Sequence, residues 1–403
     1  MQQKNAGTET AILVSLDFGE PDYAESLEEL RLLAESAGVR TLAIVEGRRQ
    51  RPDPALFAGS GKVQEIADIL AAHEEDDETE IGVVIFNHDL SPAQMRNLTA
   101  KLNTRVIDRT MLILDIFAQR AQSHEGKVQV ELAQLRYLAT RLVGMNMDMG
   151  QQKHSVGARG PGETKLELDR RKLDKRVHLL KERLDKLRRQ RVLQRRARQR
   201  SEVLSVSIVG YTNAGKSTLF NALAKTNVYA ANQLFATLDT TTRRIFLQTP
   251  DRSGVDEDGE GGYESSASPR EQVVLSDTVG FIRHLPHSLV AAFRSTLEET
   301  IQADLLLHVV DVNSPNRDDQ IAEVNKVLEE IGAQHIPQIL VLNKIDLQGV
   351  PAGIERDEYG RIVTLRLSAK TGAGLDDLRT ALMEVRDAEA VEAPVLEWHP
   401  LNN

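Results

Sequence analysis

Gly210, Tyr211, Thr212, Asn213, Ala214, Gly215, Lys216 and Ser217 spell the pattern G-x-x-x-x-G-K-[ST]. Its chemistry is phosphate binding. Glycines at both ends permit a tight loop whose backbone N–H groups wrap oxyanions, and a helix starting at the lysine adds its dipole. The Lys216 ammonium would reach β- and γ-phosphates, and the Ser217 hydroxyl would ligate Mg2+. Asp277, Thr278, Val279 and Gly280 form D-x-x-G, in which Asp277 can hold the Mg2+ shell and Gly280 can meet the γ-phosphate. Asn343, Lys344, Ile345 and Asp346 form N-K-x-D. A carboxylate at Asp346 accepts two N–H bonds from guanine that adenine does not offer, so this box selects GTP over ATP. Ser368, Ala369 and Lys370 suit backbone contact with the guanine carbonyl. Each short box alone also reads as a strand-ending turn. All of them, in this order and each at the end of an apolar run, point to one site on an α/β sheet edge.

Between the first two boxes lie Phe235, Ala236, Thr237, Leu238 and Asp239. Thr237 is the candidate for a second Mg2+ hydroxyl, with the threonines at 240–242 as alternatives. Lys216, Thr237 and Gly280 are thus the candidate catalytic residues. Phe281 stands where Ras-type enzymes carry a water-positioning glutamine. A phenyl ring cannot orient water, so hydrolysis by the isolated chain is expected to be slow until the backbone, a cation or a partner supplies the missing group. Asn213 either helps hold a monovalent cation such as K+ or makes ordinary loop hydrogen bonds.

Strand and helix patterns must position these boxes. Residues 203–209 read as a strand, 218–224 as a helix, 243–247 and 273–276 as strands, and the alternation ends in a helix at 375–385. This is a P-loop GTPase domain over 201–388, with a short tail at 389–403. Residues 251–269 hold six acidic residues, one arginine and four glycines, and read as a disordered insertion. The first 108 residues alternate strands (11–16, 41–45, 82–86, 105–107) with helices (26–37, 63–72, 91–102), the pattern of a small parallel α/β domain. Gly59, Ser60, Gly61 and Lys62 lack the upstream strand and first glycine of a P-loop and read mainly as turn chemistry at a helix start.

From 109 to 200 the pattern is helical. Val128, Leu132, Leu135, Leu138 and Leu142 make one apolar stripe, and Leu166, Leu173, Val177, Leu180, Leu184 and Leu187 a second with coiled-coil spacing. The expectation is an antiparallel hairpin with a glycine-rich tip at 144–163. Residues 165–200 carry 16 Lys/Arg against 5 Asp/Glu, a local +11, whereas the whole chain is −10 and the remainder therefore −21. Such a basic block on an acidic body suits a polyanion, or else is a solvated helix face.

The 403-residue chain has no cysteine, which excludes disulfides, thiolate metal sites and thiol catalysis. Aromatic residues make up 4%, too few for stacking platforms to dominate. No apolar run approaches the ~18 residues of a membrane span, and the start does not read as a signal peptide. The ten histidines show no metal-binding spacing.

The run from Gly157 through Arg159, Gly160, Pro161 and Gly162 to Thr164, followed by Leu166, Asp169, Arg170 and Arg171, resembles the signature of the HflX GTPases. The boxes at 210–217, 235–239 and 277–282 are similar to that family as well, so the resemblance covers nearly the whole chain. It implies a bacterial, cytoplasmic, monomeric GTPase that binds protein and rRNA of the large ribosomal subunit and splits stalled or stress-idled ribosomes. In such proteins the hairpin tip reaches towards the peptidyl transferase centre, which makes Gly157, Arg159, Gly160 and Gly162 the candidate RNA contacts. With 18 residues after position 385, the separate C-terminal domain of some members is expected to be absent. The acidic insertion is not part of the family pattern. Peripheral membrane association and a ribosome-assembly or RNA-binding role without splitting remain alternatives.

Overall fold

The computed structural model describes residues 9–73, 81–144, 161–198, 203–225, 234–247, 272–283, 285–286, 289–290, 293 and 297–392. They form two compact units. The first comprises 1–191 with 231–239 and 283–294, and the second comprises 192–230, 240–282 and 295–403.

In the first unit β1 (Thr10–Asp17), β2 (Arg40–Arg48), β3 (Val83–Phe86) and β4 (Arg105–Asp108) form an all-parallel sheet in the order β2-β1-β3-β4. β1 and β3 are buried nearly throughout, as expected for parallel strands covered on both faces. The helices α1 (Tyr23–Ser36), α2 (Ser60–Ala72) and α3 (Pro92–Leu102) connect them. α3 starts where its sequence dictates: Ser91 Oγ accepts the Gln94 N–H, Gln94 Oε1 accepts the Ser91 N–H, and Pro92 opens the helix. α4 (Arg109–Arg120) is capped by Asp108, whose Oδ1 accepts the Met111 N–H at 2.9 Å. Burial pushes the Asp108 carboxyl above the usual carboxylate range, although Arg141 pairs with it at 2.8 Å.

α5 (His124–Gly144) and α6 (Pro161–Arg198) supply the helical region. Val128 and Leu132 of α5 pack with Leu180 and Leu184 of α6, with Leu135 and Val177 against them, and Arg176 pairs with Glu131 at 2.6 Å. The apolar stripe is shorter than its sequence pattern, since Leu138 is 40% exposed. α6 also starts at Pro161, ahead of the expected loop end at 163, because proline is well suited to the first helical position. Gly162 therefore belongs to a helix. Gly157, Arg159 and Gly160 lie outside the described residues, as does the insertion at 251–269.

The second unit holds a seven-stranded sheet, β10-β11-β9-β8-β5-β7-β6. Its strands are β5 (Leu204–Gly210), β6 (Thr241–Phe246), β7 (Gln272–Asp277), β8 (Leu305–Asp311), β9 (Gln338–Asn343), β10 (Gly353–Arg356) and β11 (Ile362–Arg366). Pairing is parallel except at the two edges, where β6 runs antiparallel to β7 and β10 to β11. Around it stand α7 (Lys216–Ala224), the single turn α8 (Glu298–Ile301), α9 (Arg317–Ile331) and α10 (Leu375–Glu392). α10 runs past position 388, where the sequence pattern ended the domain. One face of the sheet, including Val206, Ile208, Leu307, Val309 and Val341, packs with Leu219, Phe220, Leu378 and Leu382 into a single core. The strand ends on which the nucleotide boxes sit are thereby fixed.

Candidate nucleotide-binding site

The P-loop runs from the last residue of β5 to the first of α7. Gly210 has φ +146° and lies so close to the Val309 carbonyl that a Cβ would collide with it. Gly215 has φ +98° and a Cβ there would strike Asn343. The two glycines of the pattern are thus required by neighbours on β8 and β9 as well as by loop conformation. Asn213, exposed, adopts φ +60° between them.

Lys216 is 6% exposed and its Nζ donates to the Tyr211 carbonyl at 2.7 Å. Burial lowers its pKa from 10.5 to about 8, with Asp277 opposing the shift, so the ammonium persists at neutral pH. Ser217 Oγ donates to Asp277 Oδ2 at 2.7 Å. β7 carries Asp277 to this point because it pairs in register with β5, Ile208 opposite Asp277. Thr278 Oγ1 then donates to the Ile208 carbonyl at 2.6 Å, and Val279 is buried. At Gly280 a Cβ would lie 2.8 Å from Thr212 Cγ2 and 2.9 Å from Lys216 Nζ, so a side chain there would fill the space beside the lysine. Phe281 lies beside the P-loop, in an isolated parallel bridge to Tyr211. Its carbonyl accepts the Thr212 N–H at 2.7 Å, its N–H reaches the Gly210 carbonyl at 3.2 Å, and its ring is 1% exposed.

The other box residues gather at the ends of β9 and β11. Asn343 donates to the Ala214 carbonyl and accepts the Ala369 N–H, both at 2.9 Å. Lys344 Nζ pairs with Asp311 at 2.8 Å. Ile345 is buried, which turns Asp346 outward, and Ser368 Oγ donates to the Asp346 carboxylate at 2.6 Å. Lys370 is exposed beside them in sequence. Asp311 and Asn313 complete this side, since Asn313 Nδ2 donates to both Asp311 Oδ1 and the Lys344 carbonyl at 3.1 Å. Sequence reasoning missed these two. Their signal is an aspartate at the end of an apolar strand, the same edge that carries every other box.

The segment with the candidate Thr237 belongs to the first unit. Phe235 is 2% exposed and meets Phe117 of α4 edge-on, with ring centroids 4.7 Å apart. Thr237 is half-buried, Leu238 is buried and Ala236 half-buried. Asp239 turns its carboxylate to the start of α5, where Oδ2 accepts the N–H groups of Gln122 and Ser123 at 2.7 Å each and Oδ1 accepts the Ser123 hydroxyl at 2.5 Å. Arg283, two residues after Phe281, also lies in the first unit, paired with Asp22 and, at 2.7 Å, with Glu25. No cluster of metal-ligating side chains of the His, Asp or Glu type occurs among the described residues, and none of their helices is long and apolar enough to cross a membrane.

Three family descriptions match the chain: GTP-binding GTPase N-terminal over 24–118, GTP-binding GTPase Middle Region over 120–198, and 50S ribosome-binding GTPase over 205–344. A protein from Escherichia coli (strain K12) named GTPase HflX is 50% identical over 385 residues, which cover 95% of this chain and 84% of that one. Its namesake from Caldanaerobacter subterraneus subsp. tengcongensis is 44% identical over 383 residues, 95% of this chain and 82% of the relative. A crystal structure of the SsGBP and GDP complex has a similar fold, with a TM-score of 0.50 at 24% identity over 95% of this chain and 99% of the other.

Proposed function

The chain belongs to the HflX family of GTPases and is a GTP hydrolase, and from that premise we propose that it binds the large ribosomal subunit and uses GTP to separate stalled or stress-idled ribosomes. The observation that carries this reading is the coexistence of an assembled nucleotide site with a span, 205–344, that matches a 50S ribosome-binding GTPase. The basic helix α6 supports it, since 15 cationic side chains over 165–198 suit an RNA backbone.

In this reading the P-loop N–H groups and Lys216 hold the phosphates, and Asp346 pairs with the guanine edge. Ser217 and Asp277 fit Mg2+: two hard oxygen donors 2.7 Å apart, on adjacent elements. Held by these two side chains, the ion would supply positive charge against the phosphate oxygens. Thr237 is the residue that would supply a second hydroxyl. Gly280 leaves room beside Lys216 for the γ-phosphate, and the buried Phe281 supplies no group to orient water, so turnover depends on a partner. Protein and rRNA of the large subunit are that partner, the chain acts as a cytoplasmic monomer, and Gly157, Arg159, Gly160 and, at the start of α6, Gly162 make the RNA contacts.

Sedimentation of intact ribosomes with the protein and GTP, or a non-hydrolysable analogue, tests the proposal. Accumulation of free subunits supports splitting. Co-migration with large subunits while ribosomes stay intact would instead favour an assembly or RNA-binding factor.

A further inference from the structure

The segment that bears Thr237 is held at both ends by side chains of the first unit. At one end the Phe235 ring, with its backbone at φ +56°, rests against Phe117. At the other, Asp239 takes three hydrogens at the head of α5. These donors are not incidental. Gln122 and Ser123 lead into the helix, and Ser123 Oγ in turn accepts the Gly126 N–H at 2.8 Å. The carboxylate therefore extends the capping of a 21-residue helix, where the positive end of the helix dipole favours it. Gly126 is part of the fit, because a Cβ at that position would collide with Asp239 Oδ1 and lie 3.0 Å from Ser123 Oγ.

We propose that Asp239 is a positioning residue for GTP hydrolysis: clipped to Ser123 and the head of α5, it fixes the loop that presents Thr237. The inference rests on the assignment of Thr237 given above. It gives Asp239 a task other than touching nucleotide, and it makes Ser123 and Gly126, more than a hundred residues away in sequence, part of the apparatus that sets the turnover rate. On that assignment Thr237 would serve the γ-phosphate end of the site, which GTP fills and GDP does not. GDP is held by the P-loop and the base boxes, none of which includes Asp239, Ser123 or Gly126.

The test compares single-turnover GTP cleavage, GTP KM, GDP affinity and thermal midpoint in the full chain and in Asp239→Ala, Gly126→Ala, their double variant, Ser123→Ala, Ser123→Thr and Thr237→Ala. Alanine is a better helix former than glycine, so a loss in Gly126→Ala does not report a weakened helix. Removing the clip should slow cleavage about tenfold, the scale of losing charge-assisted hydrogen bonds, with GDP affinity unchanged within about twofold. The double variant should be no slower than either single one. Ser123→Ala, which keeps two backbone donors, should fall between, and Ser123→Thr, which keeps the hydroxyl, should restore the rate. Full-rate cleavage in Gly126→Ala while Thr237→Ala is impaired would overturn the clip alone, as would multiplying effects in the double variant or an equal loss of GDP affinity. Full-rate cleavage in Thr237→Ala would overturn the Thr237 assignment and the proposal with it.

Discussion

Asn343 ties the base side of the site to the P-loop: its Nδ2 donates to the Ala214 carbonyl oxygen at 2.9 Å, while its Oδ1 accepts the Ala369 N–H at the same distance. One amide, 2% exposed, thus joins three of the nucleotide boxes.

Replacing Asn343 with Ala leaves a buried carbonyl and a buried N–H without partners. Each such loss costs about 1–3 kcal/mol. The expected result is a lower denaturation midpoint together with weaker binding of both GTP and GDP, read by urea melts and nucleotide titration. An unchanged midpoint would mean that water replaces both bonds.

Asp346→Asn should exchange guanine for xanthine preference, because the amide can pair with the added carbonyl of xanthine. Loss of the charge-assisted pair amounts to about 1.5–3 kcal/mol, or roughly ten- to a hundredfold in GTP affinity. Titration with labelled GTP and XTP reads it. Ser368→Ala, which removes the 2.6 Å support of that carboxylate, should weaken GTP binding without changing the preference.

Stability should depend on His308 in mild acid. Burial in β8 pushes its imidazole down from 6.5 to about 4, so between these two pH values the unfolded chain takes up a proton that the folded chain refuses. Stability from this group is full above the unfolded pKa and declines as pH falls towards the folded one, by about 3 kcal/mol in all. Urea melts at stepped pH should show this decline, and His308→Leu should flatten that part of the curve.

Replacing residues 157–160 with a Ser/Gly linker of equal length removes Arg159 and leaves the P-loop and the boxes at 343–346 and 368–370 untouched. GTP affinity should stay unchanged while ribosome dissociation and partner-stimulated turnover collapse. A linker variant that splits ribosomes normally would reduce residues 157–160 to a connector and shift the RNA contact to α6.

The parts of the site legible in the sequence are those specified by neighbouring residues in the chain. Gly210 to Ser217, Asp277 to Gly280 and Asn343 to Asp346 are short local patterns, and the strands that carry them are near-continuous apolar runs. α3 was legible for a similar reason, since Ser91, Pro92 and Gln94 specify its start within four residues. What stayed hidden depends on long-range pairing. Nothing near Asp239 in the chain points to Ser123, nor does anything near Arg283 point to Asp22 and Glu25. Lys344 reads as a box residue, yet its charge is held by Asp311, thirty-three positions upstream. The α5 stripe misled in the other direction, because periodicity marks a face and not how much of it a neighbour covers. Leu132 is buried by Leu180 and Leu184, whereas Leu138 is left exposed.

GTP turnover measured with isolated large subunits, with small subunits and with neither tests the coupling of this site to the ribosome most directly. The expected result is slow turnover alone, in keeping with Phe281 at the water-positioning place, a sharp rise with large subunits only, and no turnover under any condition in Lys216→Ala. Fast turnover by the isolated protein, or a rate indifferent to large subunits, would contradict it.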